Sequence, residues 1–323
     1  MTNIATWNIC LGIINKKDYI YEVIKEKKID ICLLQEVEIP SDYNTELLTH
    51  GAYKIEVEKN DCKARTAIII NENINYIRNW NLERENYGII VIDIIGPIKY
   101  RVINLYRSFN PQNNVTPQDF FETQLEIISE AVSTSNGKRI ILAGDFNLDD
   151  SKRFANDYRH KTLFEKLHSI FDPLGLIQML NEPTWQRVIN NSQKQSILDH
   201  LYVTDPNHIN DVKYCVPLIG DHKLISFDIS ENCKTANTLT RRSWKSYSKQ
   251  KLLHLLAFEN FNIKTDSVQA TWNNFENILI NIIDKIAPVE TFQNTSQQKI
   301  NFYRKLHKKK DQLTPQTFKQ TKV

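Results

Sequence analysis

The spacing of apolar residues predicts that the chain opens with a strand, a helix and a second strand. Residues 3–9 and residues 30–37 each form a short apolar run of strand length. Between these runs, Ile20, Val23 and Ile24 recur at the spacing of one helical face. We therefore expect a β-α-β unit at the start of the chain.

Short apolar segments then follow one another closely. In order they are YKIEVEK, ARTAIIIN, GIIVIDII and IKYRVINLYR. Gly96 and Pro97 join the last two segments and are residues typical of tight turns. Adjoining strands with such a connection favour antiparallel hairpins.

The next part of the chain combines helices with further strands. Thr116 and Pro117 stand at the expected N-cap and first turn of an amphipathic helix, which leads into the apolar segment RIILAGDFN. A second helix is predicted near residues 161–171, and strands are predicted over residues 196–204 and 222–230. Strands in hairpins with few helices predict an α+β protein with mixed sheets, not a doubly wound parallel fold.

The pattern changes after residue 231, where we place a domain boundary. Strand patterns stop, and two helical segments follow a polar linker in residues 232–323. Residues 1–230 carry 25 Lys and Arg against 31 Asp and Glu, a net charge of −6. Residues 231–323 carry 16 against 7, a net charge of +9. The sequence thus predicts a mildly acidic body with a basic helical tail, and such a tail can meet phosphate groups.

Composition indicates an intracellular globular protein. The hydrophobic fraction is 41% of 323 residues, and no apolar run is long enough for a membrane helix or a signal peptide. The five cysteines are odd in number and lack the spacing of a zinc site, so we expect reduced thiols.

Polar side chains end or interrupt most of the predicted strands. They are Asn8, Glu36, Tyr106, Arg107, Asp145, Asn147, Asp199, Asp221 and His222. Taken singly, most have an ordinary explanation, because Asn and Asp form turns and charged residues commonly end strands. Asp199 differs, since a carboxylate inside an apolar strand needs a partner if it is buried.

Together these residues supply the parts of a phosphoester-hydrolysing site. Glu36 and Asn8 suit one Mg²⁺, which usually takes one or two carboxylates and keeps water or phosphate oxygens. His222 can act as a base oriented by a carboxylate, and Asp199 is a better orienter than Asp221, which would point elsewhere.

Two further residues complete this inventory. Tyr106 and Asn147 are neutral donors that can stabilise charge developing on a phosphate. The combined set suits metal-assisted attack of water on a phosphoester.

The ordered motifs resemble those of a known superfamily. They are WN, LLQE, LYR, GDFN, LDHLYV and GDH, spread over residues 3–230. This set resembles the endonuclease/exonuclease/phosphatase superfamily, which includes abasic-site endonucleases, pancreatic-type deoxyribonuclease, inositol-phosphate 5-phosphatases and the endonucleases of non-LTR retrotransposons. The resemblance implies a four-layer sandwich, with two packed mixed β-sheets flanked by helices.

The resemblance also implies roles for the metal-side residues. Asn8 and Glu36 would bind Mg²⁺, or Mn²⁺ in its place, and Asp221 would face the metal region. Tyr106 would contact the phosphate, and Arg107 would bind substrate.

The remaining roles concern proton transfer and DNA contact. Asp145 would align the water or protonate the leaving oxygen, and Asn147 would hold the phosphate. His222 would contact the scissile phosphate while paired with Asp199. Trp185 lies in a PTW segment similar to one near DNA in retroelement nucleases, although a packed Trp explains it equally well.

The branch of the superfamily is indicated by two features. Abasic-site members carry an acid where this chain has Cys10, which weakens the abasic-repair interpretation. The tail looks like the connector that follows the nuclease in jockey- and CR1-like retrotransposon polyproteins. This likeness implies a nuclease that nicks double-stranded DNA in the nucleus, with a reverse transcriptase of the same element as partner.

Two alternatives remain open at this point. One is a phosphatase of the same fold that acts on a small inositol or lipid phosphate. The other is a catalytically idle module that binds DNA or protein.

Overall fold

The chain forms two compact units, Met1–Cys233 and Lys234–Val323. The computed structural model describes residues 2–111, 115–153, 155, 159–189, 192–229, 238–242, 248–259 and 268–293.

The first sheet of the N-terminal unit has six strands around one central parallel pair. In spatial order they are β13 (Ile209–Cys215), β14 (Leu224–Ile229), β1 (Thr2–Asn8), β2 (Ile31–Pro40), β4 (Lys63–Asn71) and β3 (Tyr53–Val57). Helix α1 (Lys17–Glu26) joins β1 to β2, which run parallel, whereas the other neighbours are antiparallel. The predicted β-α-β opening is confirmed.

The second sheet repeats this arrangement. Its six strands, in spatial order, are β5 (Tyr76–Arg78), β6 (Ile89–Ile94), β7 (Tyr100–Tyr106), β8 (Arg139–Asp145), β12 (Asp199–Val203) and β9 (Ile177–Gln178). Helix α2 (Pro117–Ser133) joins β7 to β8, the parallel pair of this sheet, and α3 (Lys161–Phe171) follows β8. The other neighbouring strands are antiparallel, including the predicted hairpin of β6 and β7.

The two sheets pack face to face and helices cover their outer faces. Along β2, Ile31 and Leu33 join the apolar cluster shared with the second sheet, whereas Cys32 and Leu34 pack into the cluster that contains α1. Successive strand residues point to opposite faces, so a strand buried on both sides must be apolar throughout. Helices α2 and α3 pack on the second sheet in a third cluster. The result is the predicted four-layer α+β sandwich.

Several strands were not predicted from the sequence. They are β5, β9 and β13, together with a ribbon of β10 (Trp185–Ile189) and β11 (Ser192–Ser196), which pair with each other. The described side chains of β11 are almost all exposed, so its polar sequence SQKQS shows no apolar alternation.

The described part of the C-terminal unit contains two helices and a pair of strands. The helices are α4 (Lys249–Phe258) and α5 (Val268–Ile286), as the apolar spacing predicts. The expectation that strands stop after residue 231 is wrong, because β15 (Thr238–Arg242) pairs with β16 (Val289–Gln293). Among the described residues, no helix has the length and apolar character needed to cross a membrane.

Candidate active site

The two central parallel pairs deliver four of the predicted residues to one place. Asn8 ends β1 and Glu36 lies in β2, whereas Tyr106 ends β7 and Asp145 ends β8. Asn8 Nδ2 donates to Asp145 Oδ2 at 2.8 Å and to Glu36 Oε1 at 3.1 Å. The hydroxyl of Tyr106 donates to Glu36 Oε1 at 3.2 Å. Carboxyl ends of parallel strands lie at one edge of a sheet, so stacking the two sheets places these side chains in one hydrogen-bonded network.

Asp145, Asp199 and His222 form a second part of the site, which we call the Asp–Asp–His group. Asp199 lies directly opposite Asp145 in the pairing of β12 with β8. His222 Nδ1 lies 2.8 Å from Asp199 Oδ2, and one ligand atom from each of the three residues lies within 4.8 Å of the others. The two aspartates are 0% exposed and the histidine 6%, so water scarcely screens their charges.

Burial and mutual charge shift the pKa values of this group in opposite ways. Burial raises the pKa of Asp145, and the charge of Asp199 raises it further against the opposing effect of His222. Burial alone would lower the pKa of His222, but the neighbouring Asp199, Asp145 and Asp221 outweigh it and raise the pKa. The imidazolium is therefore stabilised between carboxylates, while Asp145 is a carboxylate that accepts a proton more readily than usual.

Asp221, which the sequence assigns to the metal together with Asn8 and Glu36, is connected to Asn8 through Cys10. Its Oδ1 accepts the thiol of Cys10 at 3.0 Å, and the Cys10 amide donates to Asn8 Oδ1 at 2.9 Å. Burial would raise the pKa of Asp221, but hydrogen bonds from Cys10 and Trp185 lower it. Burial, aided by Asp221, raises the pKa of Cys10 to about 12. Cys10 is thus a neutral thiol that links Asp221 to Asn8.

The residues present fit a divalent cation at two places. Glu36 is half-buried and adjoins Asn8, and one carboxylate with water and phosphate oxygens is a donor set typical of Mg²⁺. In the Asp–Asp–His group, Asp199 Oδ1 is buried and has no hydrogen-bond partner among the described residues. An unsatisfied buried oxygen is uncommon and is suited to an ion or a proton.

The loop after β8 is held by residues that the sequence assigned to substrate. The amide of Asn147 donates to Asp145 Oδ1 at 2.8 Å, and its side-chain Nδ2 donates to the carbonyl of Arg107 at 2.8 Å. Arg107 Nη1 donates to the carbonyl of Asn147 at 3.3 Å, and Arg107 is 2% exposed. These contacts make both residues supports of the loop, and their contacts with substrate stay predictions.

Gly144 explains why the segment GDFN needs its glycine. Its φ is +145°, and a Cβ there would meet the carbonyl oxygen of Leu105 at 1.9 Å. Only glycine allows β8 to approach β7 so closely, which sets the position of Asp145.

Glu36 reaches the site through a β-bulge that the sequence did not predict. In the pairing of β2 with β4, Gln35 opposes Thr66 but Ile39 opposes Ala64, so the ladder shifts between them. Glu36 within the bulge has a φ of +57°, a conformation that costs a non-glycine residue roughly 1–3 kcal/mol. Bulges re-aim side chains near active sites, and this one turns Glu36 towards Asn8 and Tyr106.

The exposed ribbon of β10 and β11 begins beside the Asp–Asp–His group. Trp185 pairs with His222 in an isolated bridge, and the amide of Gln186 donates to the carbonyl of Asp221 at 2.9 Å. Thr184, which the sequence did not single out, accepts from the Asp199 amide through Oγ1 at 3.0 Å. The base of the ribbon is therefore fixed to the backbone that carries the site.

This geometry agrees with the family to which the chain belongs. The model of the endonuclease/exonuclease/phosphatase family matches residues 5–228, so the chain is a member of that family. The family unites nucleases and phosphatases, which share the hydrolysis of phosphate esters. The comparison with curated proteins finds no match.

Solved structures of several nucleases have the same fold. The endonuclease domain of TRAS1, a telomere-specific non-LTR retrotransposon, has a TM-score of 0.56 at 18% identity, over 72% of this chain and 100% of that domain. The Xenopus laevis APE2 catalytic domain has a TM-score of 0.55 at 14% identity, over 72% of this chain and 95% of that one. Neisseria NExo, a 3′ phosphatase bound to a product DNA hairpin, has a TM-score of 0.52 at 15% identity, over 71% and 100%.

Proposed function

We propose that this protein is a metal-dependent endonuclease that hydrolyses a phosphodiester of double-stranded DNA. The observation that carries the proposal is the Asp–Asp–His group joined through Asn8 to Glu36. Proton transfer and cation binding are two contributions that a protein can make to phosphodiester hydrolysis. This arrangement provides for both within one network.

Each part of the network has a distinct role in this proposal. Glu36 and Asn8 would hold the Mg²⁺ ion, or Mn²⁺ in its place, and the ion would neutralise charge on the phosphate when bound. Asp145 accepts a proton from the attacking water, for which its raised pKa suits it. The imidazolium of His222, held by Asp199, binds a phosphate oxygen, and Tyr106 donates to the same group.

The ribbon supports a polynucleotide as substrate. Arg187 and Val188 on β10 and Lys194 on β11 are exposed, and Val188 is 71% exposed. A two-stranded ribbon fits a DNA groove, and basic side chains on it suit the phosphate backbone. A small phosphate ester would leave this element without a role.

The biological role is proposed from the similarity to TRAS1 and from the charge of the tail. We assign residues 1–231 as the catalytic domain and residues 232–323 as a basic connector, with a net charge of +9 over residues 231–323. In this proposal the enzyme nicks target DNA in the nucleus and leaves a 3′ hydroxyl. A reverse transcriptase of the same retroelement would extend that end.

The test is nicking of supercoiled plasmid by the full chain in Mg²⁺, in Mn²⁺ and in excess chelator. We expect open-circle product with either ion and none in chelator. Inositol phosphates and phosphorylated lipid head groups are assayed in parallel for phosphate release. Turnover of these esters without nicking would favour the small-molecule phosphatase, and DNA binding without turnover of any substrate would favour the idle module.

A further inference from the structure

Arg65 occupies a position opposite the β2 bulge that no motif identifies. It lies on β4 between Ala64 and Thr66, the two residues whose partners bracket the bulge. Its Nη2 donates to the hydroxyl of Tyr106 at 3.2 Å, and its guanidinium carbon lies 5.0 Å from the centre of the Tyr106 ring. The bulge thus makes room for an arginine beside a residue of the proposed active site.

Glu38 fixes the guanidinium in this position. Glu38 has a φ of +48° in the bulge, and its Oε1 lies 2.7 Å from Arg65 Nε. At Nε, Arg65 forms an ion pair with Glu38 that lacks hydrogen-bond geometry, and at Nη2 it donates to Tyr106. Nη1 has no partner among the described residues, and the side chain is 20% exposed. A planar guanidinium held at two corners presents its third nitrogen without further loss of side-chain freedom.

The carboxylates near Arg65 make the site negatively charged, so a cation there would favour the approach of phosphate. Carboxylates surround the site, namely Glu36, Glu38, Asp145, Asp199 and Asp221. A phosphate backbone that approaches them meets repulsion unless cations oppose it. Arg107 is 2% exposed and faces the loop after β8, so it does not provide such a cation at the surface.

The space next to Arg65 indicates which part of a nucleotide it meets. Arg65, Tyr106, Gly88 and Ser108 are among the residues that line a cavity of about 10 Å³. That volume holds at most about one water molecule, so neither a nucleobase nor a whole phosphate group enters it, and a substrate can meet Arg65 only at the exposed part of its side chain. At such a surface contact the planar guanidinium matches the oxygens of a backbone phosphate, the group to which most protein–DNA hydrogen bonds are made.

We propose that Arg65 is a further substrate-binding residue, whose free Nη1 binds a backbone phosphate of DNA on the Tyr106 side of the site. The inference rests on the proposed function, because it assumes that DNA is the substrate. Glu38 acts as a positioning residue that holds the guanidinium for this contact. The phosphate bound by Arg65 is the scissile phosphate or the one next to it, because the neighbouring Tyr106 is assigned to the scissile phosphate.

The first test measures DNA binding in chelator, where no turnover occurs. Fluorescence anisotropy gives the Kd of a duplex as a function of salt for the wild type, Arg65→Ala, Arg65→Lys and Lys63→Ala. Lys63 is the charge-matched control, because it lies on the same strand, 3.9 Å from Glu38, and its side chain is 56% exposed.

Loss of one charge-assisted contact should raise the Kd of Arg65→Ala about ten-fold and reduce the slope of log K against log salt by about 0.9. Arg65→Lys keeps the charge and should restore the slope but not the full affinity. Equal effects of Arg65→Ala and Lys63→Ala would overturn the proposal, since the effect would then be one of net charge.

The second test separates phosphate binding from an indirect effect through Tyr106. Duplexes carry one neutral methylphosphonate at each linkage around the cleavage site. At one linkage, the neutral substitution should weaken binding by the wild type. The same substitution should not weaken binding by Arg65→Ala any further. Both results should also hold when Tyr106→Phe is present in each protein. An Arg65→Ala effect that disappears with Tyr106→Phe, or that is independent of every linkage, would overturn the assignment.

These results also distinguish failure of the inference from failure of the proposed function. A wild type that neither binds nor nicks DNA contradicts the DNA endonuclease. Arg65 is then tested with inorganic phosphate, whose thermal stabilisation of the protein should be lost in Arg65→Ala and kept in Lys63→Ala. Stabilisation that is unchanged in Arg65→Ala would overturn phosphate binding by this residue.

Discussion

The Asp–Asp–His group and the β2 bulge are the two halves of the site, and they are built differently. Asp145 and Asp199 stand directly opposite each other in regular strand pairing and are 0% exposed. Glu36 and Glu38 interrupt the ladder of β2, have positive φ values and are half-buried. Regular backbone thus carries the enclosed carboxylates, whereas irregular backbone carries the two half-buried ones.

The difference follows from what each half must do. A carboxylate accepts a proton more readily when burial raises its pKa, and burial inside a sheet sandwich provides this within regular strand pairing. A metal or phosphate must instead enter from solvent and leave again. The bulge exposes Glu36 and Arg65 at a conformational cost in one short segment. Variants in each half should therefore have different effects on activity, stability and metal dependence.

The largest effect should come from the Asp–Asp–His group. Asp145→Asn and His222→Ala each remove a group that handles a proton or phosphate charge, so the rate of nicking should fall by about 10²–10⁴-fold. Single-turnover plasmid assays measure the loss. His168→Ala is the control, because His168 lies on α3 and pairs with Asp172. Near-normal nicking by Asp145→Asn would show that Asp145 is not the proton acceptor.

A backbone change should destabilise the buried half without touching its side chains. Gly144→Ala places a Cβ against Leu105, so we expect a loss of about 3 kcal/mol in the free energy of unfolding. Denaturant titration measures it. Gly51→Ala is the control, because Gly51 also has a positive φ but no atom within 4 Å of its Cβ position. Equal losses would mean that φ, and not the close approach of β8 to β7, requires Gly144.

Asp199→Asn should make the imidazolium form of His222 less stable while leaving the side chain in place. The pKa of His222 is raised in the wild type because nearby carboxylates outweigh burial, so removing the charge of Asp199 should lower it. If the imidazolium is the active form, activity should decline at a lower pH than in the wild type. The rate should fall about 10²-fold at neutral pH. An unchanged alkaline limb in the pH–rate profile would mean that Asp199 does not set the ionisation of His222.

The pair also contributes to stability in a defined range of pH. A raised histidine pKa stabilises the folded state fully below the unfolded pKa, and this contribution is lost as pH rises through the folded pKa of about 10. Wild-type stability should therefore decline towards alkaline pH more steeply than that of Asp199→Asn. Denaturant titrations over that range provide the check.

Glu36→Gln should have the smallest effect, and it should depend on metal. Removing one carboxylate from the Asn8–Glu36 pair should raise the Mg²⁺ concentration for half-maximal nicking about ten-fold, with much of the rate recovered at saturation. Asp199→Asn should not shift that concentration. A shift with Asp199→Asn and none with Glu36→Gln would place the cation in the Asp–Asp–His group.

The sequence predicts the buried half better than the bulge, for physical reasons. Apolar runs and the segment GDFN predict strands β1, β2, β7 and β8. Thr116 caps α2, as its position predicts, and its side chain accepts a hydrogen bond from the Asp119 amide at 3.1 Å. The bulge has no such signal, because residues 30–37 have the same apolar pattern with or without a shift of register. Arg65 was missed for this reason, since its place depends on the pairing of two strands.

The ribbon and the C-terminal strand pair were missed for a different reason. Hydrophobic periodicity reports burial, and strands that bury neither face leave no periodic record. The segment SQKQS is of this kind, since its side chains are almost all exposed, and the sequence TLTRR likewise has no apolar alternation. Trp185 was noticed for its motif, but its hydrogen bond to Asp221 became visible only with the fold.

The most direct test of the account is the origin of the oxygen in the cleaved end. A duplex oligonucleotide is nicked by the full chain with Mg²⁺ in heavy-oxygen water under single turnover, and both ends are analysed by mass spectrometry. We predict one heavy oxygen in a 5′ phosphate and an unlabelled 3′ hydroxyl that a polymerase extends, with the rate in His222→Ala lower by about 10²–10⁴-fold. A label in a 3′ phosphate, or cleavage by His222→Ala at the wild-type rate, would contradict hydrolysis by the Asp–Asp–His group.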